Sequence, residues 1–303
     1  MNLKRLQDLE PWDWPPDAGA TILRTLRDVH ADANDRLLAA GMAGESTVID
    51  DEAAAALLAV VGDRCEPEPL RARAAIALGP ALELGDESEI DEALGLDDTP
   101  ISKNTFSRIN KALRDLYLDN DTPKEVRRKI LEASVRAPQN WHAAAVRSIY
   151  ASEDEDWKLT AVFCMQYIKG FDAEIVESLE NPNPDIHYEA VCAAGNAELD
   201  AAWRHVVNLV ESGDTAKPLL LAAIDAVASI RPGEARNILG DLINDDDEEI
   251  SEAVFDAIAM AEGRVDSEFD DDEGDDDLFD DFEDDDEDFD DDEDNDDSDR
   301  IVH

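Results

Sequence analysis

A chain of 303 residues with 77 acidic and 26 basic side chains carries a formal net charge of −51, which excludes a nucleic-acid-binding body because phosphates would be repelled. Its 43% hydrophobic content supports a core, yet no apolar run is long enough to cross a membrane, and residues 1–16 lack the apolar stretch of a secretory leader. Three cysteines (Cys65, Cys164 and Cys192), odd in number and without a C-x-x-C pair, exclude a disulfide framework and read as reduced structural thiols, so a cytoplasmic protein is expected.

The charge divides in two. Residues 266–299 hold 25 acidic side chains in 34 positions, leaving about −27 for residues 1–265. So dense a charge cannot bury enough apolar surface to offset chain entropy, and residues 264–303 are expected to form a disordered acidic tail. The preference for arginine (18) over lysine (8) also suits a salt-adapted composition.

In chain order, residues 1–16 form an N-terminal segment whose second half, Leu9 to Pro16, contains Trp12 and Trp14 among prolines and cannot continue a helix. They read as a cap over the open apolar face of a first repeat, protection that terminal repeats need. Helices are expected over 17–30 and 33–43, then over 51–61 and 70–84. An acidic stretch, 85–104, reads as a long inter-repeat loop with a short helix near 89–94. Beyond it the pattern becomes regular. Phe106, Ile109, Leu113 and Leu116 step by three and four, as do Ile250, Val254 and Ile258 by four, placing each set on one helix face. Aligning the helices over 126–137, 157–169, 185–197, 217–230 and 248–261 puts Lys129, Ala161, Ala190, Ala222 and Ala253 at one position, with spacings of 32, 29, 32 and 31. Breakers such as Asn181-Pro182-Asn183-Pro184 separate the units, and Thr122-Pro123 reads as an N-cap followed by proline at the first helical position.

On this period, and on the segment Pro123-Lys124-Glu125-Val126-Arg127-Arg128 with its later alanine at Ala133, residues 17–263 resemble the HEAT-repeat family, in particular its short PBS-lyase HEAT-like type. The resemblance implies an all-α, right-handed α–α superhelix of about seven helix pairs, whose second helices line a concave side. It says little about function, which separates from fold in such arrays.

The enzymes of that group each require residues that this chain lacks. Deoxyhypusine hydroxylase binds di-iron through His-Glu dipeptides, whereas none of His30, His142, His187, His205 and His303 is followed by glutamate. His187 and Glu189 lie two apart, about 200° around a helix, and do not converge. No chromophore-attachment motif marks a phycobilin lyase, and the acidic body argues against a HEAT-like DNA glycosylase. No P-loop, nucleophile elbow or dinucleotide fingerprint occurs. On the concave face Arg127, Lys158, His187 and Lys217 form no recognisable catalytic set. No cofactor or metal is expected.

Two features remain. Residues 101–150 hold ten basic and five acidic side chains, so Lys103, Arg108, Lys111, Arg114, Lys124, Arg127, Arg128 and Lys129 form a candidate basic docking surface for an acidic ligand, the tail included. Phe269, Phe279, Phe282 and Phe289 are candidate anchors within the tail for basic protein partners. The expectation is a non-enzymatic protein-interaction scaffold. An accessory enzyme or lyase-type maturation factor, and an acidic chaperone or mimic for basic proteins, are the alternatives.

Overall fold

The computed structural model describes residues 3–45, 47–94 and 100–272. Among these residues the regular structure is all helical, as the alanine- and leucine-rich stripes require, and there is no strand. A short α1 (Leu3–Gln7) precedes α2 (Ala18–Arg27) and α3 (Ala33–Met42), then α4 (Asp51–Gly62) and α5 (Glu68–Ile76). After α6 (Gly79–Leu94) come α7 (Lys103–Leu118) with α8 (Lys124–Ser134), α9 (His142–Tyr150) with α10 (Glu155–Cys164), and α11 (Asp172–Ser178) with α12 (Pro184–Asn196). The described chain ends with α13 (Trp203–Glu211), α14 (Lys217–Ile230), α15 (Pro232–Leu239) and α16 (Glu248–Asp272). The result is the expected all-α solenoid of HEAT-like pairs, with α6 inserted between the second and third pairs. No described helix is long and apolar enough to cross a membrane.

The second helices stack in one continuous row, α3 on α5, α5 on α8, and so on through α10, α12, α14 and α16. Because α5 packs directly on α8, α6 is displaced from the row without breaking it. First helices of successive pairs meet more sparsely, so the second helices occupy the crowded inner side of the bend. Small residues permit the stacking. A Cβ on Gly195 would lie 3.1 Å from the Cα of Ala226, where α12 meets α14, and one on Gly44 would lie 2.2 Å from the carbonyl oxygen of Ala77.

The fully buried position in successive second helices is Ile130, Ala161, Ala190, Ala223 and Val254. The alignment through Lys129, Ala222 and Ala253 is therefore one residue out at three of its five members. The alanine-rich sequence around them leaves the helix phase ambiguous, and only packing resolves it.

The period also appears in polar contacts. The last carbonyls of a helix lack partners within it, and here the fourth residue after the N-cap of a second helix supplies one. Arg36 Nε and Nη2 donate to Leu26 O (3.2 and 3.0 Å), Arg71 Nε to Val61 O (2.9 Å) and Arg127 Nε to Tyr117 O (2.8 Å). This clamp gives the arginine of the Glu125-Val126-Arg127 opening its physical role. Along the row, Lys124 Nζ reaches Asp154 (2.6 Å) and Asp156 (2.8 Å) at the start of the next second helix, and Lys217 repeats the pattern with Asp247 (2.7 Å) and Glu249 (2.5 Å).

Several local expectations change. Thr122 does not cap α8: Pro123 occupies the N-cap position, and the Thr122 hydroxyl is buried without a partner. Asn183 does cap α12, accepting from the Asp185 amide, with Pro184 first in the helix. The helix expected over 70–84 breaks between Ile76 and Gly79, and α6 then runs through much of the acidic stretch expected as loop. At the N-terminus, Leu3 and Leu6 of α1 are buried. Trp14 is half-buried and donates from Nε1 to Leu6 O (2.9 Å), while Trp12 stands 73% exposed. Helix α16 continues to Asp272, past the expected end of the repeats at 263; residues 273–303 of the tail lie outside the described residues.

Candidate functional site

The inner row brings polar side chains from three second helices together. Glu132 of α8 is buried and fully engaged: Lys129 Nζ lies 2.6 Å from Oε2, and Thr160 Oγ1 of α10 donates to Oε1 at 2.7 Å. Thr160 accepts in turn from Arg128 Nε at 3.0 Å. One helix further, Glu189 of α12 is half-buried and accepts from Gln166 Nε2 at 2.6 Å. Asn196 Nδ2 donates to Gln166 Oε1 at 3.3 Å, which sets the orientation of that amide.

The two glutamates differ in their surroundings. Burial pushes the Glu189 carboxyl up to about 7; the Gln166 bond opposes this, and the charge of Glu132 reinforces it. Desolvation disfavours the charged form of any group lacking a close counter-ion. Cys192, one turn along α12, is pushed to about 11 by burial and then by Glu189, and Tyr188 to about 12, chiefly by Cys192. Both therefore keep their protons near neutrality. Burial holds the Cys164 thiol well above its ordinary value, so neither inner-row thiol is an activated nucleophile. Beside this cluster lies an open groove of about 530 Å³ between α3, α5 and α8, lined by Leu37, Ala72, Arg73, Ile76, Glu125 and Lys129. Lys129 borders the groove and also pairs with Glu132.

A second pair imitates catalytic machinery. His142 is fully buried, with Nε2 3.0 Å from Ser134 Oγ. The Gln139 amide donates to Nδ1 at 2.8 Å, so Nδ1 is the acceptor and Nε2 carries the proton. His142 thus donates to the serine hydroxyl and cannot accept its proton. Burial lowers its pKa to about 4, keeping it neutral. This is a structural pair.

The residues of the basic segment divide between two helices that pack on each other. Lys103, Arg108, Lys111 and Arg114 are exposed on α7, a first helix. Lys124, Arg127, Arg128 and Lys129 sit on α8, where they serve the clamp, the inter-repeat pairs and the Glu132 cluster. Of the concave-face candidates, Lys158 lies over the Tyr150 ring, Lys217 pairs with Asp247, and His187 meets His205 of α13. Phe269 falls in the last turns of α16 with its side chain outside the described ones; Phe279, Phe282 and Phe289 lie outside the described residues altogether. No motif in the residue order marks Glu189 with Gln166, or His205 as the partner of His187. No described group of three histidine, cysteine or acidic side chains converges as a metal cluster.

No protein-family model matches the chain, and no curated protein matches it. Two solved structures are similar. Human deoxyhypusine hydroxylase in complex with glycerol shows 16% identity and a TM-score of 0.38, over 86% of this chain and 88% of that one. The YibA protein of Escherichia coli shows 14% identity and a TM-score of 0.44, over 85% and 95%. What they share with this chain is a HEAT-like helical solenoid. The expectation of a non-enzymatic scaffold is corrected at this point: one of these two neighbours is, by its name, an enzyme.

Proposed function

We propose that the inner face belongs to an accessory, lyase-type enzyme that works by general acid–base catalysis on a cationic protein segment, with Glu189 moving the proton. The observation that carries this reading is the half-buried Glu189 carboxyl on the inner row, held at one oxygen by Gln166 at 2.6 Å and pushed by burial toward about 7. Near neutral pH both of its forms are populated, as a group that takes and returns a proton requires. As carboxylate it removes a proton from the substrate, and as acid it delivers that proton to the departing atom, so the cycle needs no redox partner. Gln166 holds Oε2 and leaves Oε1 for the substrate. A body carrying about −27 favours segments rich in lysine or arginine.

The test is incubation of the full-length protein with a library of lysine- and arginine-rich peptides, read by mass spectrometry. Time-dependent mass loss from a subset of peptides is expected, slower by at least about 100-fold with Glu189→Gln while peptide binding is kept. No conversion of any peptide, or equal conversion by the variant, overturns the reading.

A further inference from the structure

On the far side of α12 from Glu189, two histidines from neighbouring repeats meet end to end. His187 Nε2 lies 2.8 Å from Nε2 of His205 in α13, with the rings nearly perpendicular at 74°. Oε1 of Glu180 stands 3.4 Å from the other nitrogen of His205, Nδ1. We infer that His187 and His205 form a binding site for a divalent transition-metal ion of the zinc and copper class, with Glu180 orienting His205. The inference does not rest on the role given to Glu189.

The position of His187 in its repeat is the first argument. It is the fourth residue after the N-cap Asn183, the place held by Arg36, Arg71 and Arg127 after Asp32, Pro67 and Pro123. In those repeats the side chain turns back to close the preceding helix. In α12 it turns forward to the next repeat and meets a second imidazole, an arrangement that helix closure does not need.

The chemistry of the donors is the second. The Glu180 carboxylate, 3.4 Å from His205 Nδ1, draws the proton to that nitrogen by its charge and leaves the Nε2 lone pair facing His187, the tautomer in which imidazole binds metal. In the metal-free pair His187 must hold its proton on Nε2 to fill the 2.8 Å contact. When an ion enters, that proton moves to Nδ1 of the same ring, and two neutral imidazoles face the metal with no net proton change. Zinc–nitrogen bonds of about 2.0–2.1 Å in tetrahedral geometry set the two nitrogens about 3.3 Å apart. The nitrogens need to part by about half an ångström and each ring to swing until its lone pair points about 35° off the line between them, which side-chain rotations supply. Both rings are half-buried, so water can complete the coordination. Imidazole suits zinc, copper and nickel, whereas magnesium and calcium prefer oxygen. That preference separates this site from the many carboxylates of the chain. A bound ion would tie α12 to α13 and so fasten two repeats together.

The test uses the full chain in excess Mg²⁺, which occupies the carboxylates. Electron paramagnetic resonance with Cu²⁺ should show one ion with hyperfine coupling to two imidazole nitrogens, and calorimetry with Zn²⁺ should show one matching site. His187→Gln and His205→Gln should each abolish the two-nitrogen signal. Glu180→Gln should keep both nitrogens and weaken binding about 10- to 100-fold. A wild-type copper spectrum without two-nitrogen coupling overturns the inference whatever the variants do. So does a signal unchanged in both histidine variants, which would place the ion on other histidines.

Discussion

Replacing Glu189 with glutamine should make the protein progressively more stable, relative to the unsubstituted chain, as pH rises from 4.5 to 7. Below 4.5, the ordinary value for glutamate, the carboxyl is protonated in folded and unfolded chains alike. Between 4.5 and about 7 the unfolded chain releases a proton that the folded chain retains, so stability falls with rising pH. At about 1.36 kcal/mol for each unit that separates the two values, the penalty above pH 7 reaches about 3 kcal/mol. Glutamine keeps the contact with Gln166 but cannot ionise, so the variant escapes this loss. His142 works in the opposite direction. Its pKa is lowered from 6.5 to about 4, so the stability it contributes is complete above 6.5 and is lost as pH falls toward 4. The two effects oppose each other between 4.5 and 6.5 in the unsubstituted protein, which is why the difference between variants is the informative quantity. Urea denaturation of both proteins across this range, at an ionic strength high enough to screen the net charge, measures it. A stability difference that stays constant, or shrinks as pH rises, refutes the account of Glu189 as a carboxyl held protonated by burial.

Arg36→Met should destabilise the first two repeats by about 3–5 kcal/mol, because it leaves the largely buried Glu66 carboxylate, 11% exposed, and the Leu26 carbonyl without their donor; denaturation of the single variant and of the double variant with Glu66→Gln checks this, and the second change should recover much of the loss. Gly44→Ala should cost about 1–3 kcal/mol in a thermal melt, since its new methyl group would collide with the backbone carbonyl of Ala77 rather than with a side chain able to move.

Helix existence and repeat length are properties of short stretches, so they could be read from residue order alone. The spacing of Ile109 and Leu113, the Asn183-Pro184 start of α12 and the spacing near 31 residues each depend on neighbours within a turn or two, or on one unit resembling the next. The break at Ala77-Leu78 was harder, because alanine and leucine favour helix continuation and only the docking of α5 on α8 settles where the chain turns. Residue order offers Glu189 only as a poorly placed neighbour of His187 among 77 acidic residues: what distinguishes it is the stacking of α12 on α10, which excludes water and brings Gln166 from 23 positions away. His187 was visible as a residue, but its partner His205 lies 18 positions along, on a helix whose orientation the sequence does not encode locally. Desolvation and imidazole contact are set by what surrounds a side chain in space. Residue order therefore determined the solenoid and its period, and tertiary packing alone decided which of its many polar groups are chemically unusual.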